Sequence, residues 1–292
     1  MNYLHLRERL HVYAQLSRLD KPIGTLLLLW PTLWALWFAA AGIPDWHLLV
    51  IFSLGTLLTR SAGCVINDYA DRDFDGAVAR TRQRPFARGA VTPREALLLA
   101  AGVAFLALLL ILPLNGLTLL LSIPAVLIAV SYPYTKRFFP LPQAYLGLAF
   151  SFGIPMAYAA TTGTVPSIAW WMLLANLFWT IAYDTCYAMT DRPDDLKIGI
   201  HTSAITFGRF DVTAVMLCHG LFLALMMAIG IALQRHALYY LGLMVAAGLM
   251  LQQYRQIRGR DRDACFRAFL ANNRVGAAVL AGVVFDYGFR HT

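Results

Sequence analysis

Two acidic clusters interrupt a chain that otherwise carries few charges. The segment NDYADRDFDG, residues 67–76, holds Asp68, Asp71, Asp73 and Asp75. The segment YDTCYAMTDRPDD, residues 183–195, holds Asp184, Asp191, Asp194 and Asp195. Both contain an Asp-x-x-x-Asp spacing, as Asp71/Asp75 and Asp191/Asp195. On a helix, Asn67, Asp68, Asp71 and Asp75 fall within about 100° of arc, with Cys64 and Arg60 one and two turns earlier on that arc. Asp184, Asp191 and Asp195 fall within about 40°, flanked by Asn176, Tyr187 and Asp194. Carboxylates this close repel unless a cation lies among them. Oxygen ligands of this kind select hard cations such as Mg²⁺ or Ca²⁺, whereas zinc sites favour His and Cys. Mg²⁺ keeps most of its waters and is shared between one or two carboxylates and substrate phosphates. Two acidic faces with Arg and Lys nearby therefore point to a diphosphate clamped through Mg²⁺.

The elements that carry these residues are apolar. Hydrophobic residues make up 59% of the 292 residues and charged residues 14%, against about a quarter charged in a soluble domain. Runs of about 20 apolar residues are long enough to cross a bilayer. Nine spans are expected, roughly 23–42, 46–66, 95–114, 116–135, 142–162, 166–190, 211–234, 236–253 and 273–290. The acidic clusters end the second and the sixth span, four spans apart. This spacing predicts an all-α integral membrane protein, one domain over residues 1–292, built as two four-helix pseudo-repeats plus one helix. Membrane proteins often place their site between such repeats, here in a central cavity between the two polar stripes. A diphosphate at the mouth of a membrane cavity implies a lipid tail in the bilayer, and polyprenyl diphosphate has both parts. Cationic side chains and Mg²⁺ would stabilise the leaving diphosphate. Apolar and aromatic walls would shield the allylic cation left behind.

The net charge of +8 is unevenly placed. Arg and Lys crowd the segments before span one and after spans two, four, six and eight. The alternate turns around 43–45, 115 and 163–165 have none, and the turn between spans seven and eight has only Arg235. This asymmetry predicts a multi-pass membrane protein with its N-terminus and both acidic clusters in the cytoplasm and its C-terminus on the outer side. The basic charge faces membrane lipids, and nucleic acid is not an expected partner. A transporter or metal carrier would place ionisable groups along a path across the membrane, whereas these acids lie at one face. The four cysteines are scattered without CxxC spacing, so neither zinc nor a disulfide framework is expected. Asp286 and Arg290, spaced i, i+4, are expected to pair, and Pro31, Pro124 and Pro155 to bend their helices.

Three motifs resemble those of the UbiA superfamily of intramembrane aromatic prenyltransferases. NDYADRDFD is similar to that family's NDxxDxxxD motif, DRPDD with the preceding YDTCYAM to its second Asp-rich motif, and YPYTK (residues 132–136) to its YxxxK motif. RLDKPIGTLLLLWPTLWALW and RTRQRP resemble the members whose acceptor is 4-hydroxybenzoate, in ubiquinone synthesis. Departures are Phe86 where Leu is usual, His201 where Lys is usual and Pro193 where an extra acid often stands. The resemblance covers nearly the whole chain and implies nine helices around a cavity that opens laterally to lipid, with two Mg²⁺. It implies that Asn67, Asp68, Asp71 and Asp75 hold one Mg²⁺, and that Asp191 and Asp195, with Asp184 or Asp194, serve the other. Arg72, Lys136 and Lys197 would contact diphosphate oxygens, and Tyr132 and Tyr187 would line the reacting centre. Asp191 would help to remove the phenolic proton. Arg137 is the expected partner of the acceptor carboxylate, with Arg60 the alternative. The implied reaction is prenyl transfer to C3 of 4-hydroxybenzoate. The Asp motifs alone would equally suit another aromatic acceptor.

Overall fold

In a bilayer every backbone amide must be satisfied within its own segment, which leaves apolar runs one favourable form, the helix. The computed structural model describes residues 3–73, 75–78 and 80–288, and among these there is no strand. The helices in chain order are α1 (Tyr3–Leu16), α2 (Ile23–Ala40), α3 (Trp46–Ala70), α4 (Pro93–Ile111), α5 (Gly116–Thr135), α6 (Pro142–Ser151), α7 (Gly153–Thr162), α8 (Ser167–Ile198), α9 (Ser203–Phe207), α10 (Asp211–Ala232), α11 (Ala237–Ile257) and α12 (Arg262–Gly288). Seven helical stretches among the described residues are long and apolar enough to cross a membrane: α2, α3, α4, α5, α6 with α7, the stretch Ser203–Ala232, and α12. Of the nine expected spans, the other two, 166–190 and 236–253, are helical as α8 and α11 but fall short of that apolarity. Polar residues dilute both, among them Asn176, Asp184 and Asp191 in α8 and Gln252, Gln253 and Arg255 in α11.

Local signals set the helix ends. Thr92 and Glu95 form a capping box with Pro93 in the first turn of α4, and the Asn115 side chain caps α5. Gly199 closes α8 at φ +73°, just past the second acidic cluster. The expected span 142–162 is broken at Phe152 into α6 and α7, beside Pro155, which has no N–H to continue the ladder. Pro31 and Pro124 lie inside unbroken helices. α1 is an additional helix that the span pattern did not require. It is pinned to the start of α4, where Arg9 and Tyr13 both bond to Glu95.

The main core cluster joins α2, α7, α8, α10, α11 and α12. Trp34, Trp179 and Phe222 meet with ring centroids 5.3–5.9 Å apart. The Trp179 indole donates to Asn272 Oδ1 at 2.9 Å, and Trp34 to the Gly276 carbonyl at 3.2 Å. α11 and α12 cross at Gly242 and Gly282, where a Cβ on Gly242 would lie 2.7 Å from the Gly282 Cα. This contact needs two residues without side chains. At the end of α12, Asp286 meets Arg235 at 3.7 Å and accepts the His236 amide at 3.0 Å. Its expected partner Arg290 lies outside the described residues. All four cysteines are free.

Candidate active site

α3 and α8 both run on past the apolar stretch, and their polar ends face one cavity. The cavity measures about 1660 Å³ and is lined by α2, α3, α4, α5, α6, α8 and α12 and by the connection between α3 and α4. Its walls are mostly apolar, with charged groups gathered where α3, α5 and α8 end. Asn67, Asp68, Asp71, Asp75, Asp184, Asp191 and Asp195 all line it, as do Arg60, Tyr132, Lys136 and Tyr187. Arg72, Arg137, Asp194 and Lys197 do not.

Each acidic group has a distinct neighbour. Lys136 donates to Asp71 at 2.7 Å and to the Asn67 side-chain oxygen at 3.3 Å, and the Asn67 amide donates to Asp71 at 3.2 Å. The YxxxK lysine is thus brought onto the first acidic stripe. Asp68 is held by Arg18 at 2.7 Å and by Arg84 at 3.0 Å, and Arg84 reaches Asp75 at 3.0 Å. Burial pushes the Asp75 carboxyl up and Arg84 partly offsets this. Burial also opposes the charge on Arg84, but Asp68 and Asp75 outweigh it and hold the guanidinium protonated. Arg80 crosses the cavity mouth to Asp191, with Nη2 at 2.5 Å and Nε at 3.0 Å, and lies 4.3 Å from the centre of the Tyr187 ring. Asp195 is buried and makes no direct ion pair among the described residues, with Lys136 and Arg80 acting on it from a longer distance. The Gln143 side chain accepts the Ser203 amide at 2.8 Å and hydrogen-bonds Asp184.

Four expected site residues point elsewhere. Asp194 pairs with Arg262 at 2.6 Å and lies 3.9 Å from Lys197, which is largely exposed. Arg262 also donates to the Thr190 carbonyl at 2.7 Å and so ties the start of α12 to α8. Arg72 lies over the Tyr69 ring and donates to its carbonyl at 2.8 Å. Arg137 donates to the Ala70 carbonyl at 2.8 Å and lies over Tyr134, so it joins the end of α5 to the end of α3. Arg60, by contrast, lies in the cavity wall. Its Nη1 is 2.6 Å from the Cys64 sulfur, and its Nε is buried without a partner among the described residues. It lies against Gly24, where any Cβ would overlap the guanidinium. Charge alone counts Arg18, Arg80, Arg84 and Arg262 among the basic residues of the cytoplasmic side. The resemblance of RTRQRP to a family segment is the sequence signal that Arg80 and Arg84 have a further role.

The family model described as the UbiA prenyltransferase family matches residues 28–274. The chain belongs to this family. It is 65% identical over 282 residues to the 4-hydroxybenzoate octaprenyltransferase of Azoarcus sp. (strain BH72), covering 97% of this chain and 98% of that protein. It is 64% identical over 279 residues to the protein of the same name from Nitrosomonas eutropha, covering 96% of this chain and 98% of that one. Among solved structures, the apo UbiA homolog from Aeropyrum pernix K1 superposes with a TM-score of 0.78 at 25% identity, over 90% of this chain and 98% of that one. The UbiA homolog from Archaeoglobus fulgidus bound to GPP and Mg²⁺ shares the fold, with a TM-score of 0.71 at 18% identity over 95% of this chain and 99% of that one.

The donor set fits a hard divalent cation. The cavity brings together carboxylate and amide oxygens from α3 and α8, and the described residues contain no cluster of three His, Cys, Asp or Glu close enough to cage a metal. An ion such as Mg²⁺ needs no such cage, because waters and substrate phosphates complete its shell. Among the described residues Asp71, Asp75 and Asp191 each share a directly paired cation with at most one other acid, and Asp195 makes no direct ion pair.

Proposed function

We propose that this protein transfers a polyprenyl group from polyprenyl diphosphate to C3 of 4-hydroxybenzoate, in ubiquinone biosynthesis. The observation that carries the reading is the mixed carboxylate and cation cluster at one end of a large apolar cavity. The names of the relatives, at 64–65% identity over nearly the full length, support the acceptor and the octaprenyl donor. The diphosphate binds at the polar end and the tail lies along the apolar wall. Asn67, Asp71 and Asp75 on one side, and Asp191 and Asp195 with Asp184 nearby on the other, would hold Mg²⁺. Bound there, Mg²⁺ would neutralise charge on the diphosphate. Lys136, Arg80 and Arg84 lie where they can donate to diphosphate oxygens as the bond from the allylic carbon to oxygen breaks and its electron pair leaves with the diphosphate. The ring carbon ortho to the hydroxyl attacks the allylic carbon and forms the new carbon–carbon bond. Loss of the C3 proton to a carboxylate restores the aromatic ring, a role Asp191 can take once Arg80 turns to the diphosphate. The Tyr132 and Tyr187 faces shield the cation.

We assign the acceptor carboxylate to Arg60 rather than Arg137. Arg60 lines the cavity with an unpartnered Nε, whereas Arg137 is engaged by the Ala70 carbonyl outside the lining. The basic side of the membrane, with the N-terminus and the cavity mouth, is cytoplasmic, and the protein resides in the bacterial inner membrane. The test is an assay of the purified protein with one polyprenyl diphosphate and a panel of acceptors including 4-hydroxybenzoate, homogentisate and dihydroxynaphthoate. Product with 4-hydroxybenzoate alone, abolished by chelation and restored by Mg²⁺, supports the reading. Full turnover after exhaustive chelation, or preference for another acceptor, refutes it.

A further inference from the structure

Asp68 differs from its neighbours on α3. It is 1% exposed, and both its oxygens already accept hydrogen bonds. Arg18 Nη2 approaches Oδ1 at 2.8 Å and Oδ2 at 2.7 Å, and Arg84 Nη1 lies 3.0 Å from Oδ1. Oδ1 thus accepts a hydrogen bond from one guanidinium and is ion-paired with a second. Asn67 and Asp71, one residue before and three after, turn instead to Lys136. Arg18 and Arg84 are both mostly buried and both line the cavity. We propose that Asp68 is a positioning residue and not a metal ligand: it holds Arg18 and Arg84 at the cavity mouth for the diphosphate and ties the turn after α1 to the site.

Turning Asp68 to a metal would leave two buried guanidiniums short of a counter-charge, and breaking a buried pair costs far more than the pair contributes. Arg84 would keep only Asp75, and Arg18 only the Gln15 carbonyl at 2.7 Å. Arg18 also holds a left-handed backbone, φ +56°, which a non-glycine residue keeps only where surrounding contacts enforce it. Asp68 enforces it from one side, and the contacts of α1 with Glu95 and the Ala90 carbonyl from the other. A diphosphate brings negative charge that Arg18 and Arg84 can meet without leaving Asp68, since each guanidinium carries five donors. The N-terminal turn thereby becomes part of the substrate site.

The inference rests on the functional reading above, so the experiment reads metal and anion separately from catalysis. The full chain is purified in lipid nanodiscs. Mn²⁺ binding is followed by electron paramagnetic resonance, and inorganic pyrophosphate binding in saturating Mg²⁺ by calorimetry. Asp68→Asn is expected to keep Mn²⁺ stoichiometry and affinity within about twofold while weakening pyrophosphate about tenfold or more, the scale of a charge-assisted contact. Asp71→Asn is expected to weaken Mn²⁺ itself. Arg18→Gln, a change in a turn that leaves α3 intact, guards against misfolding of the Asp68 variant. It is expected to weaken pyrophosphate several-fold with Mn²⁺ unchanged, and the double variant to lose little beyond Asp68→Asn. Loss of a Mn²⁺ ion in Asp68→Asn would make Asp68 a ligand and overturn the proposal, as would unchanged pyrophosphate binding in Arg18→Gln. A parent protein that binds neither Mn²⁺ nor pyrophosphate would overturn the functional reading as well.

Discussion

Arg60→Ala isolates the acceptor half of the site. A benzoate carboxylate entering an apolar cavity needs a cationic partner, and a guanidinium supplies two parallel hydrogen bonds. In the structure the Arg60 Nε is buried without a partner among the described residues, and Nη1 makes only a weak contact to the Cys64 sulfur. Little within the protein therefore competes for it. A hydrogen bond to a charged group contributes about 1.5–3 kcal/mol, so removing this partner should raise the KM for 4-hydroxybenzoate roughly 10- to 150-fold. The KM for the polyprenyl diphosphate should stay within about threefold, because the proposed diphosphate partners are Lys136 and the arginines of the connection between α3 and α4. Arg137→Ala is the control and should leave the acceptor KM nearly unchanged. Neutral 4-hydroxybenzamide should be a poor substrate for the parent and lose little more in Arg60→Ala. Gly24→Ala, which keeps the charge but pushes the guanidinium aside, should raise the acceptor KM by a smaller factor. Steady-state kinetics with each substrate varied at saturation of the other gives all these values. The assignment fails if Arg60→Ala damages both KM values equally, or if Arg137→Ala alone raises that of the acceptor.

Asp71→Asn and Asp191→Asn should each reduce turnover by at least about 10²-fold, the loss typical of a preorganised electrostatic element. Their thermal unfolding should stay close to that of the parent, since Asn is isosteric; near-normal kcat at saturating Mg²⁺ would remove either residue from the metal site. Gly242→Val should destabilise the protein by about 1–3 kcal/mol through overpacking at the crossing of α11 and α12, read as a lower melting temperature in detergent, with the KM for both substrates in the surviving fraction unchanged. Reporter fusions should report a cytoplasmic N-terminus and a periplasmic C-terminus, and both ends on one side would contradict an odd number of crossings.

The membrane class, most helix positions and the acidic stripes were legible in the chain itself, because they depend on short-range order. A helix repeats every 3.6 residues wherever it lies, so the spacing of Asn67, Asp71 and Asp75 already put them on one face. Apolar length likewise marks a span without reference to its neighbours. The break at Phe152 is local too, beside Pro155. What each charge meets is a different matter, because it depends on how distant helices pack. Arg18 reaches Asp68 across 50 residues of chain and Arg80 reaches Asp191 across 111. In the sequence both arginines open segments that resemble the family, but nothing there names the acid each one meets. Packing also separated Asp194 from Asp195. These adjacent residues of one helix end diverge, Asp194 toward Arg262 at the start of α12 and Asp195 toward the cavity. It also sets Arg60 and Arg137 apart, and on that ground Arg60 is the proposed partner of the acceptor carboxylate. Adjacency to the lysine of YxxxK favoured Arg137, but the end of α5 docks on the end of α3 and engages that guanidinium with the Ala70 carbonyl. Two turns deeper on α3, the absence of a side chain at Gly24 on α2 leaves room for Arg60 in the cavity wall.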